Sequence, residues 1–192
     1  MATTQPIRNP QEIKALSEYY LIKGQLRNYV LIMLGLHTAL RISDMLRLTW
    51  GDVYDFERHC FRSLIEVVEK KTGKSKIIAL NMSVTSALSL FFKAEPAEAA
   101  AFLLENARTK KAISRVQAYR LIRAASEALE LEFRVSCHSL RKTFGYHAWK
   151  QGTPPAVIMD IYNHSSLEVT KRYLGITQDD RNEVYLNIEL IS

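Results

Sequence analysis

One stretch of this chain carries a clear strand-and-turn pattern. Ile65-Glu66-Val67-Val68 and Lys76-Ile77-Ile78-Ala79-Leu80 flank Lys71-Thr72-Gly73-Lys74-Ser75, which reads as an antiparallel hairpin with glycine in the turn. Two strands alone do not enclose a core, so helices must supply the rest of the interior. The fold class is therefore mainly α with a small antiparallel β-hairpin sheet (α+β).

The helix signals are distributed along the whole sequence. Asn9-Pro10-Gln11-Glu12 combines a cap, a proline at the first helical position and a glutamate able to reach back. That helix carries Ile13, Leu16, Tyr19 and Tyr20 on its apolar face and stops near Gly24. A largely buried helix follows over 26–38, and Ser43 reads as the cap of a short one over 44–48. Further helices are expected over 83–93, 114–129, 140–151, 154–162 (capped by Thr153), 167–173 and 178–188. Ser114-Arg115-Val116-Gln117 is a second capping box. Residues 97–105 read both ways, as an alanine-rich helix or as a short strand at Phe102-Leu103-Leu104.

At 192 residues the chain suits one domain with a single core, and no linker or internal repeat divides it. With 47% hydrophobic and 24% charged residues, wholesale disorder is excluded. The longest uncharged runs, 28–40 and 77–92, are too short to span a bilayer, and no secretion signal is recognisable, so no membrane partner is expected. Two cysteines, Cys60 and Cys137, make neither a disulfide framework nor a four-ligand metal site. The reading is a soluble domain of a reducing, cytoplasmic compartment.

The net charge is +6, but its distribution says more. Six bases and no acid lie between 106 and 126, and a second acid-free stretch, 133–159, holds Arg134, Arg141, Lys142 and Lys150. Four of the seven residues from 70 to 76 are lysine, whereas acids gather at 95–105 and in the tail. Such segregation fits a basic face for a polyanion, and equally a solvated surface.

Four segments carry candidate chemistry: Arg41-Ile42-Ser43-Asp44; Lys71; His138-Ser139-Leu140-Arg141; and Asn163-His164-Ser165-Ser166 with Tyr173 nine residues beyond His164. Each alone is unremarkable. In this order and spacing they resemble the tyrosine recombinase (phage integrase) family over about residues 9–176. Supporting pieces are Leu46, Leu48 and Trp50 behind the first arginine, Lys71-Thr72-Gly73-Lys74, and His138 through Phe144.

The resemblance implies the tyrosine recombinase catalytic-domain fold and a site-specific strand exchange on double-stranded DNA, needing no metal and no cofactor. It gives Tyr173 the role of nucleophile, forming a 3′-phosphotyrosyl link, and makes Arg41 and Arg141 the clamp on the phosphate. Planar guanidinium groups suit that charge. Lys71 is implied as proton donor to the leaving 5′-oxygen, with Lys70 and Lys74 as alternatives. His138 would be a general base or phosphate donor with the near-neutral titration usual for the residue. His164 matches the second histidine, and Asp44 would orient Arg41 or its helix. Lys70, Lys74, Arg115, Gln117, Arg120 and Lys142 are the expected DNA contacts. His37, His59 and His147 fall in no motif.

Two departures stand out. The family commonly has glycine where this chain has Asn163, and the typical member has an N-terminal DNA-binding domain that about eight residues here do not supply. The chain is thus expected to be a single catalytic domain over 1–192, similar to the short members that invert DNA segments. Its tail, 178–192, either passes to a neighbouring protomer or folds back. A tetramer on paired sites, nucleoid association and bacterial or phage origin complete the expectation. A type IB topoisomerase-like nicking-closing protein and a non-catalytic DNA-binding regulator keep the same residues and remain alternatives.

Overall fold

The computed structural model describes residues 4–189, which form ten helices and two separate two-stranded antiparallel sheets. The centre is α2 (Leu26–His37), whose run from Val30 to Leu36 is buried on every side. α1 (Pro10–Ile22), α5 (Met82–Ala94), α6 (Arg115–Ala128) and α7 (Cys137–Lys150) pack around it. An all-round apolar helix has nowhere else to go. Contact between α2 and α7 is close because Gly35 lacks a side chain: a Cβ there would collide with Leu140.

The lysine-rich hairpin is β3 (Leu64–Val68) paired with β4 (Ser75–Ala79), with Ile65 opposite Ile78 and Val67 opposite Lys76. Gly73, at φ +69°, makes the turn. Ile65, Val67 and Glu69 are buried while Leu64, Glu66 and Val68 are exposed, the period-two alternation of a half-covered sheet. Lys76 and Ile78 of β4 share the covered side.

Several boundaries differ from expectation for identifiable reasons. α3 is Ile42–Met45, with Arg41 rather than Ser43 at its cap, because the Arg41 carbonyl accepts the Asp44 and Met45 N–H groups. α7 starts early because the Ser136 hydroxyl accepts from the N–H groups of His138 and Ser139. Thr153 does not cap α8 (Pro155–Tyr162): its N–H closes the end of α7 on Ala148, and Pro154 takes the cap position. A Thr49–Asp52 capping box opens α4 (Trp50–Val53), followed by the small sheet of β1 (Tyr54–Asp55) and β2 (Cys60–Phe61).

Residues 97–105 form neither helix nor hairpin strand. Phe102 makes an isolated bridge with Thr49, and the Leu103 N–H donates to Leu48. Tertiary pairing here overrides alanine propensity. The remaining helices are α9 (Leu167–Leu174) and α10 (Gln178–Asn187). A smaller apolar cluster of Ala39, Ile158, Tyr162 and Leu174 joins α8 and α9 to the body. No described helix is long and apolar enough to cross a membrane.

Candidate active site

The smaller cluster is the floor on which the candidate residues meet. The chain leaves α2 through Ala39, a fully buried alanine in the left-handed region (φ +53°), and this turn brings Arg41 to the start of α3. Such a conformation costs an ordinary residue roughly 1–2 kcal/mol. Its carbonyl is turned towards Arg141 and accepts a hydrogen bond from the Nη1 of that residue.

Arg141 is 2% exposed, one of the largest buried side chains in the molecule. Its Nη2 donates to the Tyr162 carbonyl at 2.9 Å, and Arg41 Nη2 donates to the same oxygen at 3.3 Å. This carbonyl lies in the last turn of α8, where helical oxygens lack partners and the dipole is negative. A single backbone atom therefore holds both guanidinium groups. The Arg141 guanidinium also stacks 4.6 Å from the Tyr162 ring centre. Gly145 makes this possible, since a Cβ there would strike the Tyr162 hydroxyl, which donates to the Arg141 carbonyl at 2.5 Å.

Tyr173, on α9, sits against both histidines: its ring centre is 4.4 Å from that of His164 and 4.8 Å from that of His138. His164 Nδ1 pairs with the buried Thr170 hydroxyl at 3.1 Å, which fixes the ring. Asn163, at φ +52°, makes the left-handed turn that delivers it, so asparagine serves in the glycine position. Crowding, then the charges of Arg141 and Arg41, pushes His164 down to about 4. His138, although part of the residue is exposed, is lowered to about 4 by partial burial and then by the charges of Lys142, Arg141 and Arg41. Neither therefore titrates near 6.5; both are neutral at pH 7, the form a general base requires.

The expected lysines lie differently. Lys70, Lys71 and Lys74 are exposed on the hairpin, and their ammonium groups make no hydrogen bond or ion pair among the described residues. Lys76 alone turns inward. Asp44, buried, accepts from the Lys70 N–H at 2.9 Å and from the Ser43 hydroxyl, so it grips the hairpin rather than Arg41. Arg115, Gln117 and Arg120 are exposed on α6, with the Gln117 oxygen engaged by the Ser114 N–H. Lys142 is a correction. It is 8% exposed and its Nζ donates to the carbonyls of Thr4 and Arg172, so it ties α7 to the N-terminal segment and to α9 and is not available on a DNA-facing surface.

Sequence reasoning missed Glu69. Its carboxylate, 1% exposed, faces Arg41 Nη1 at 2.6 Å and Lys76 Nζ at 3.5 Å. Its other oxygen accepts from Thr72 and Asn163. Burial opposes ionisation here, but the adjoining Arg41 guanidinium and hydrogen bonds from Asn163 and Thr72 outweigh it and bring the carboxyl down to about 2. The signal was available: Glu69 continues the inward phase of Ile65 and Val67. Among the described residues no three His, Cys, Asp or Glu side chains group as metal ligands would.

Two arginines on one acceptor, two neutral imidazoles and a phenol between them make a set suited to phosphoryl transfer, a fixed cationic cradle beside an oxygen nucleophile. The chain belongs to the phage integrase family, whose pattern matches residues 9–179. It is 37% identical over 185 residues to the probable integrase/recombinase YoeC of Bacillus subtilis, covering 96% of this chain and 97% of that one. Tyrosine recombinase XerA of Pyrococcus furiosus is 22% identical, with 94% of this chain matching 61% of the longer protein. The crystal structure of XerA recombinase superposes with a TM-score of 0.77 at 21% identity, over 97% of this chain and 64% of that one. A post-cleavage complex of XerH site-specific recombinase on palindromic difH substrate gives 0.76 at 19% identity, over 97% and 54%. These likenesses establish the tyrosine recombinase catalytic-domain fold.

Proposed function

We propose that this domain cuts and rejoins double-stranded DNA at specific sites, one strand at a time, through a 3′-phosphotyrosyl intermediate on Tyr173. The observation that carries the reading is the seat of Tyr173 between His138 and His164, beside the paired arginines. Of the neighbouring tyrosines, Tyr162 is fully buried with its hydroxyl committed to a backbone carbonyl, and Tyr185 is 80% exposed on α10.

In this mechanism the Tyr173 oxygen attacks phosphorus while its proton passes to neutral His138. Arg41 and Arg141 take the charge that grows on the non-bridging oxygens; their shared acceptor keeps them preorganised, and Arg141 retains further N–H groups beyond the two it uses. The 5′-oxygen leaves with a proton from the hairpin, from Lys71 on the family pattern or from Lys70 or Lys74. Reversal, with a new 5′-hydroxyl as attacker, rejoins the strand. His164 positions Tyr173 and donates to the phosphate.

Lys70, Lys74, Arg115, Gln117 and Arg120 are the proposed DNA contacts. Four protomers on paired sites, and action at the nucleoid, extend the same reading. For α10, Lys150 of α7 pairs with Asp180 and Glu183 at 2.9 and 3.0 Å, which supports a first turn folded on its own body. Val184, Tyr185, Leu186 and Ile188 are 54–80% exposed, which supports passing the last turn to a neighbouring protomer.

The decisive experiment is Tyr173→Phe on a nicked suicide duplex. The variant is expected to form no covalent adduct yet bind DNA within about twofold of wild type, since phosphate contacts dominate affinity. An adduct persisting in Tyr173→Phe sinks the assignment.

A further inference from the structure

Glu69 has no part in the chemistry just described, yet it is the acid buried at its centre. A carboxylate out of water is costly unless every lone pair is used. Here Oε1 is compensated by charge alone, with Arg41 and Lys76 beside it and no aligned hydrogen bond among the described residues, and Oε2 accepts from the Thr72 hydroxyl at 2.9 Å and the Asn163 amide at 3.0 Å. Asn163 Nδ2 also reaches Thr72 Oγ1 at 3.2 Å, closing a triangle. These partners come from three separated segments: the start of α3, the hairpin, and the turn after α8.

The hairpin otherwise has little to hold it. Residues 70–75 are exposed, and among the described residues the remaining polar ties of this end of the hairpin to the body are Asp44 on the Lys70 N–H and Arg47 on the Val68 carbonyl at 3.4 Å. Asn163 adds an independent observation. Its left-handed backbone would suit glycine equally well, but glycine has no amide to give Glu69.

We propose that Glu69 is a positioning residue, a buried brace that fastens the proton-donating lysine hairpin to the arginine clamp through Arg41 on one side and Thr72, Lys76 and Asn163 on the other. This rests on the strand-cleavage reading. Its physical content is that the distance from the hairpin lysines to the scissile phosphate is set by one carboxylate. Removing the brace leaves Arg41 and Arg141 on the Tyr162 carbonyl but lets the hairpin drift. The cost then falls on protonation of the leaving 5′-oxygen, not on attack by Tyr173.

The test compares Glu69→Gln, which keeps shape but loses charge, with Asn163→Gly, which keeps the backbone turn and the Arg41–Glu69 pair. Each is assayed for single-turnover cleavage of an ordinary duplex and of one with sulfur as the bridging 5′ atom, a leaving group needing no proton. Both variants are expected to cleave the ordinary duplex about 10–100-fold more slowly and the sulfur duplex within about threefold of wild type. Amide hydrogen exchange over residues 70–76 should be at least about tenfold faster in both. Equal losses on the two duplexes, or unchanged exchange, overturn the brace. A wild-type protein that forms no adduct on either duplex refutes the strand-cleavage reading instead, while the exchange measurement still decides whether Glu69 holds the hairpin.

Discussion

The two apolar clusters of this molecule are built on different terms. The large one, around α2, is lined by aliphatic and aromatic side chains such as Leu16, Leu34, Leu88, Leu103 and Ile122, all 1% exposed or less. Among the described residues the small one has Ala39, Ile158, Tyr162 and Leu174 as its fully buried apolar members, and carries Arg141 upon them. Left-handed residues belong to it or border it, Ala39 within and Asn163 and Gly175 beside it; the two arginines are placed by hydrogen bonds to backbone carbonyls and the acid Glu69 by side-chain partners. Stability comes from the first cluster, and the second uses some of it to hold charge and strain where the chemistry needs them.

Substitutions should separate the two regions. The largest effect is expected for Arg141→Lys, which should slow adduct formation by about 10²–10³, because a point charge cannot serve both carbonyls and the phosphate. Single-turnover kinetics on the suicide duplex reads this, and near wild-type cleavage would break the distinction. Leu34→Ala in the large cluster is expected to cost about 3 kcal/mol in denaturant unfolding while leaving cleavage per folded molecule unchanged. A slower chemical step in that variant would mean the clusters are not independent.

Acid provides a gentler probe. His138 and His164 are held at about 4, so between 6.5 and that value the unfolded chain binds protons that the folded one does not. Their contribution to stability is full above about pH 6.5 and declines as pH falls to about 4. Glu69, lowered from 4.5 to about 2, contributes fully above about 4.5 and loses its share as pH falls to about 2. Thermal unfolding from pH 8 to 3 should fall in two stages. The first should shrink in a His138→Asn/His164→Asn double variant and the second in Glu69→Gln. A melting temperature whose pH dependence is the same in all three proteins would refute the assignment.

The smallest effect is expected at Ala39→Gly: a stability change under about 1 kcal/mol, since relief of left-handed strain offsets the lost methyl burial and added chain entropy. A loss above 2 kcal/mol would show that the turn carries no strain.

Much of this was legible in the sequence because it depends on short-range rules. Capping residues at Asn9 and Ser114, the turn at Gly73 and the apolar run of α2 act within a few residues, and each element formed where its signals stood. The order of Arg41, His138, Arg141, His164 and Tyr173 likewise identified the family. What escaped was long-range. The Thr49–Phe102 bridge joins segments 53 residues apart, and the Glu69–Asn163 bond spans 94. Lys142 looked like one more base of a basic run. Only its proximity to the Thr4 and Arg172 carbonyls reveals it as buried.

The Tyr162 carbonyl has a consequence for how the clamp can move. Two arginines 100 residues apart in the chain take their bearings from one oxygen, so neither can be displaced relative to α8 without releasing that atom. Errors in the two arms are thereby correlated: a shift of α8 carries both guanidinium groups together and leaves their separation unaltered. On the proposed mechanism, the spacing between the two charges that would match the phosphate oxygens is insulated from small deformations of the domain. If the domain acts on DNA as proposed, bending of the duplex would move this pair bodily without opening it.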